Sequence, residues 1–133
     1  MDNESKTVLV VDDETIIRRS LSSLLIMEGY DVAEGRDGSE VAALAAEHTP
    51  DLVVMDIRMN EMDGFQALEE LREDYRTEAI PVMMLSSLND YEMGANMDAE
   101  KAGERAGVRA PEYFMDKPYD TQALLDKVEE LTR

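Results

Sequence analysis

The sequence predicts an α/β fold, a doubly wound five-stranded parallel sheet with helices on both faces. Two observations carry this. Five short apolar runs alternate with segments of helical period, and several of those runs stop abruptly at a polar residue. Strands that alternate with helices imply right-handed βαβ crossovers, which place helices on both faces of a parallel sheet. The 133 residues suffice for one domain with its own core, and neither repeats nor a linker-like stretch suggest a second.

The first strand is Thr7–Val11, rich in β-branched residues and followed by Asp12, Asp13 and Glu14. Residues 1–6 form a polar tail without the apolar core of a signal peptide. From Thr15 to Glu28, Ile17, Leu21, Leu24 and Leu25 keep helical spacing, and Gly29 is placed to close that helix. Tyr30–Ala33 is a short second strand. Asp37 is placed to cap the next helix, with Glu40 three residues on, and the helix runs from Val41 to His48 before Pro50. The third strand, Leu52–Asp56, is apolar up to its last residue. A turn leads to Gly64 and a helix through Phe65, Leu68 and Leu71. Pro81–Leu85 is the fourth strand, ending in Ser86 and Ser87. A long polar stretch from Asn89 to about Gly107 precedes a fifth strand, Glu112–Met115, which ends in Asp116, Lys117 and Pro118. Asp120 caps a last helix that buries Leu124, Leu125, Val128 and Leu131.

Composition excludes several function classes. The chain has no cysteine, so disulfides, thiolate metal sites and cysteine nucleophiles are ruled out. No apolar run reaches membrane-spanning length. A net charge of −18 repels phosphate backbones, which argues against direct nucleic-acid binding by this domain. These features together suggest a cytoplasmic protein.

In such a sheet the strand ends converge on one edge, where open α/β folds place their ligands. That edge gathers Asp12 and Asp13, Asp56, Ser86 and Lys117. Crowded carboxylates resist ionisation unless compensated, and a hard divalent cation such as magnesium supplies that compensation through oxygen ligands. Cation, carboxylate nucleophile, hydroxyl and lysine are the parts needed to move a phosphoryl group onto or off a carboxylate. Met59 and Met62 read as packing residues, and His48 as a surface residue near a helix end.

These motifs resemble the receiver domain of two-component response regulators over nearly the whole chain. VLVVDDE matches the family's acidic opening, MDIRMNEMDG the segment around its phosphoacceptor, Ser86 its serine or threonine, and Lys117-Pro118 its lysine-proline pair. The resemblance implies a flavodoxin-like strand order of 2-1-3-4-5. It implies that Asp56 accepts a phosphoryl group from a histidine kinase or phosphotransfer protein. Asp13 would bind Mg2+ directly and Asp12 through water, with Asp56 and the backbone carbonyl of Arg58 completing the protein's share. Ser86 would contact the phosphoryl group and Lys117 pair with it, while Ser86 and Phe114 would form the switch. The Pro118 peptide is expected to be cis. Downstream, the resemblance implies a protein target or a fused output domain, and a possible homodimer through the fourth helix, fifth strand and fifth helix. It implies no enzyme beyond the domain's own phosphorylation and dephosphorylation.

Four departures from the family pattern stand out, the first being that Phe114 has no hydroxyl, so that any switch would rely on ring burial. Asn60 replaces the usual proline, which should loosen its loop. Arg58 places a long cation two residues past Asp56. The stretch between Ser86 and Lys117 is longer than the family's by roughly two to three helical turns, with residues 88–110 forming an extended region around the fourth helix. Two other functions compete. One is an interaction module of the same fold that needs no phosphorylation. The other is a hydrolase with an aspartyl-phosphate intermediate, of the haloacid-dehalogenase type. The latter lacks a second acid two residues past the nucleophile, where Arg58 stands.

Overall fold

A computed structural model of the chain describes residues 6–87 and 98–133. Its strands are β1 (Thr7–Val11), β2 (Asp31–Gly35), β3 (Leu52–Asp56), β4 (Val82–Ser87) and β5 (Tyr113–Lys117). All pair in parallel, in the order β2-β1-β3-β4-β5. The helices are α1 (Thr15–Met27), α2 (Val41–His48), α3 (Gly64–Glu73), α4 (Ala99–Ala106) and α5 (Thr121–Leu131).

Successive strand residues point to opposite faces, so the sheet builds two cores. Leu9, Val11, Val53, Met55, Val82 and Met84 pack with α2, α3 and Ala102 of α4. Val8, Val10, Leu52, Val54, Met83 and Leu85 pack with Leu21 and Leu25 of α1 and with Leu124 and Val128 of α5. Both faces are therefore covered, which is why the central strands read as continuous apolar runs. Each fully buried side chain of this size contributes about 1.5–3 kcal/mol.

Local chemistry sets the helix ends. Asp63 and Gln66 form a capping box at the start of α3. Asp98 caps α4 by accepting from the Lys101 N–H, and Asp120 caps α5 by accepting from the Ala123 N–H. Such caps are worth about 1 kcal/mol each. Gly29 closes α1 at a φ of 99°, a conformation that costs glycine nothing.

The structure moves several boundaries, and β4 runs from Val82 to Ser87 rather than from Pro81 to Leu85. β2 begins and ends later than the apolar pattern suggests, because Glu34 and Gly35 still pair with Val10 and Val11 of β1. β5 runs on to Lys117, which pairs with Ser87. Asp37 caps a single 3-10 turn, Gly38–Glu40, rather than α2 itself. The Glu40 carboxylate accepts from the Arg36 N–H. Of the extended region, residues 88–97 lie outside the described residues. Phe114 packs with the Met84 core and Tyr113 with the opposite one, as strand alternation requires. The Lys117–Pro118 peptide is cis. No helix among the described residues is long and apolar enough to cross a membrane.

The edge of the sheet away from the strand C-termini is held by one buried guanidinium. Arg72 of α3 donates to the carbonyls of Glu78, Ile80, Arg109 and Ala110, and to the Glu112 carboxylate at 2.8 Å. Glu112 also accepts from the Val82 N–H at 2.8 Å and from Arg109. Burial pushes the Glu112 carboxyl up, but the Val82 N–H and the two arginines outweigh it and hold it below the ordinary glutamate range. Its contribution to stability is therefore present at neutral pH and is lost as pH falls through that depressed value. Arg72→Met should lower unfolding free energy by about 3 kcal/mol, since it strands several carbonyls and a half-buried carboxylate. Urea denaturation at pH 7 reads this as a lower midpoint with an unchanged slope.

Candidate functional site

Parallel register brings four strand ends together. Asp12 follows β1, with its N–H bound to the Gly35 carbonyl at 3.1 Å. Asp56 ends β3, Ser86 lies one residue from the end of β4, and Lys117 ends β5. Carboxylate oxygens of Asp12, Asp13 and Asp56 lie within 4.8 Å of one another. The Lys117 ammonium is 3.4 Å from Asp56 Oδ1 and 3.6 Å from Asp12 Oδ2. Asp12, Asp56 and Ser86 are buried, and Asp13 is half-buried at the rim.

The carboxylates are short of compensation. Burial raises the Asp56 carboxyl to about 6; Asp12 adds to the rise, while Lys117 and the Ile57 N–H oppose it. Burial and the neighbouring Asp12 likewise raise Asp13. Burial disfavours the Lys117 ammonium, but the Asp56 and Asp12 carboxylates prevail and raise its pKa. One lysine among three acids leaves net negative charge in a partly desolvated pocket. The donors are all hard oxygens, held close enough to share one ion, and this suits a small divalent cation.

The remaining candidates fall around this cluster. Arg58 is exposed, two residues past Asp56. Phe114 is half-buried beside Met84 in the sheet register. Met59 and Met62 pack against the core, and His48 is exposed. The loop after Asp56 closes on itself through the Gly64 N–H, which donates to the Ile57 carbonyl at 2.8 Å. Asn60 is expected to loosen this loop, yet the loop also has a long-range anchor: the Glu61 N–H donates to Asp37 Oδ1 at 2.8 Å.

Sequence reasoning passed over that anchor and one more. Arg18 is buried; its Nη1 donates to the Asp12 carbonyl at 2.9 Å and its Nε to Glu34 at 2.8 Å. A basic residue thus holds the backbone of the acidic loop from below, with its charge answered by Glu34. The signal was present: Arg18, Leu21, Ser22 and Leu25 form one buried helical stripe. Tyr119 is half-buried near the cluster, and burial raises its phenol.

The response regulator receiver domain family matches residues 8–129, and the chain belongs to that family. It is a regulatory family, not one of classical enzymes. The chain is 33% identical over 129 residues to the DNA-binding dual master transcriptional regulator RpaA of Synechocystis, covering 95% of this chain and 48% of that protein. It thus spans about half the length of that relative. It is 33% identical over 122 residues to protein PilH of Pseudomonas aeruginosa, covering 91% of this chain and 93% of PilH. The chemotaxis protein CheY4 of Vibrio cholerae superposes with a TM-score of 0.76 at 27% identity, over 96% of this chain and 98% of that one.

The raised Asp56 carboxyl has a stability consequence. A carboxyl at about 6 in the folded chain, against 3.8 ordinarily, costs stability when ionised. The cost is complete above pH 6, of the order of 2–3 kcal/mol, and vanishes as pH falls below 4. In metal-free buffer, Asp56→Asn should therefore raise Tm at pH 7 by several degrees. That gain should disappear by pH 4 in thermal melts followed by circular dichroism.

Proposed function

We propose that this receiver domain is a phosphorylation-controlled switch in which Asp56 is the phosphoacceptor. The observation that carries the reading is the position of the Asp56 carboxylate, within 4.8 Å of two other acids and 3.4 Å from Lys117. The donor is a phosphohistidine on a partner histidine kinase or phosphotransfer protein. A carboxylate oxygen of Asp56 attacks phosphorus; the O–P bond forms, the N–P bond breaks, and the electron pair leaves with the imidazole. Water later cleaves the acyl phosphate and returns Asp56 and inorganic phosphate.

Magnesium would be held by Asp13 and Asp56, by Asp12 through water, and by the Arg58 backbone carbonyl. Bound there, it neutralises charge on the carboxylates and on the transferring phosphoryl oxygens. Lys117 balances the added negative charge through its ammonium. The Ser86 hydroxyl donates to a phosphoryl oxygen, and that inward pull couples the site to the half-buried Phe114 ring and to the α4–β5 surface.

Output then passes to a protein target or to a fused output domain, consistent with the chain spanning only part of RpaA. The α4–β5–α5 face is the surface for self-association on phosphorylation. The net charge of −18 leaves nucleic-acid contact to another domain or partner, and the setting is the cytoplasm.

Incubation with MgCl2 and acetyl phosphate, followed by intact mass, tests the reading. One phosphoryl group should be gained, and the gain should vanish with EDTA and in Asp56→Asn. Absence of the gain, under conditions that modify another receiver domain, would favour an interaction module that needs no phosphorylation.

A further inference from the structure

We infer that Asp37 is a positioning residue for the phosphoacceptor site: it clamps the loop of residues 57–63 in place. This rests on the phosphoacceptor reading of Asp56 and deepens it.

The clamp joins two segments 24 residues apart in sequence. Asp37 leaves β2 through Arg36 and lies buried, with both carboxylate oxygens occupied. Oδ2 accepts from the Ser39 N–H at 3.0 Å within its own turn, and Oδ1 accepts from the Glu61 N–H at 2.8 Å. Burial alone would raise this carboxyl, yet the N–H groups of Ser39 and Glu61, the Ser39 hydroxyl and the Met62 N–H hold it below the ordinary aspartate range. It is therefore an anion fixed mainly by backbone donors, and hydrogen bonds to a carboxylate are among the stronger ones a protein makes.

Gly38 completes the fit. A Cβ placed there would lie 2.2 Å from the Met62 carbonyl oxygen and 2.9 Å from its carbon. Both neighbours are backbone, so the contact has no flexible side chain to give way. The turn that carries Asp37 thus lies flat against the far end of the loop.

The near end of that loop is the site. The Ile57 N–H is shared between Asp56 Oδ1 and the Leu85 carbonyl of β4, each at 3.0 Å, and the Ile57 carbonyl accepts from the Gly64 N–H. Anchored at Ile57 and at Glu61, the loop between has little freedom. Arg58, whose carbonyl is assigned to the cation, lies between those anchors. Release of the Glu61 anchor would let that carbonyl wander, and the site would have to order it on each binding event. Groups that orient metal ligands from behind commonly change affinity by 10–100-fold when removed.

Calorimetric titration of MgCl2 into wild type, Asp37→Ala, Gly38→Ala and Thr77→Ala tests this. Thr77 is buried at the opposite edge of the sheet, bonded to the Leu71 carbonyl, and serves as a control for lost stability. Asp37→Ala and Gly38→Ala should each weaken Mg2+ about tenfold and slow modification by acetyl phosphate, while Thr77→Ala lowers Tm and leaves Mg2+ affinity unchanged. Gly38→Ala keeps the charge, so an effect in Asp37→Ala alone would mean electrostatic attraction and overturn the inference. If Gly38→Ala fails to fold, two measurements on Asp37→Ala decide instead. The deficit should persist in 0.5 M KCl, where a through-space charge effect is screened, and hydrogen exchange across residues 57–63 should accelerate. A deficit that fades in salt, or unchanged exchange, would overturn it. Wild type that binds Mg2+ and takes a phosphoryl group, with both variants equal to it, sinks the clamp alone. Wild type that does neither sinks the phosphoacceptor reading beneath it.

Discussion

Repulsion among three carboxylates at one sheet edge is the constraint to which the rest of this chain answers. Their oxygens lie within 4.8 Å of one another, and burial raises the Asp56 and Asp13 carboxyls with the Asp12 charge adding to both. Lys117 offsets part of this, being within 3.4 Å of Asp56 and 3.6 Å of Asp12. The remainder must be supported by the two apolar layers that lock β1, β3 and β5 into register. A site poised in this way is responsive: whatever cation or phosphoryl group enters it changes a balance that is already strained.

Much of this was visible in the chain itself. The apolar runs ending in Asp12, Asp56, Ser86 and Lys117 have the signature of parallel strands that surface at one edge, and the strand order agrees with the family. The two cores follow from alternation along those same strands. What stayed hidden has a common physical cause. Edge strand β2 is held by backbone pairing with β1 rather than by burial of every side chain, so the apolar pattern stops at Ala33 although pairing runs on through Glu34 and Gly35. Arg72 lies in a helix whose apolar stripe is obvious, but its value comes from carbonyls in two other segments, residues 78–80 and residues 109–110. No local pattern encodes such contacts. Asp37 was legible as a cap, and it is one, but its second oxygen is spent on residue 61.

A consistent division of labour emerges. Strands β1, β3, β4 and β5 present the acids, Ser86 and Lys117, whereas the outer strand β2 and the turn beyond it hold the loops beside them. Glu34 on β2 answers Arg18, which holds the Asp12 carbonyl; Asp37, just past β2, holds the loop after Asp56. Both supports act through the backbone, and the Asp37 charge also adds to the rise of the Asp13 carboxyl.

The Arg72–Glu112 network bears on how chains of this kind can diverge. It fixes the return into β5 using only α3, residues 78–82 and residues 109–112. Lys117 lies five residues beyond Glu112, so its place at the edge is set without reference to the length or sequence of the connection from Ser87 to Asp98. Because loop closure grows costly only slowly with length, that connection is open to insertion and replacement over evolutionary time. Length and sequence can vary there while the three acids, Ser86 and Lys117 keep their places at the strand ends.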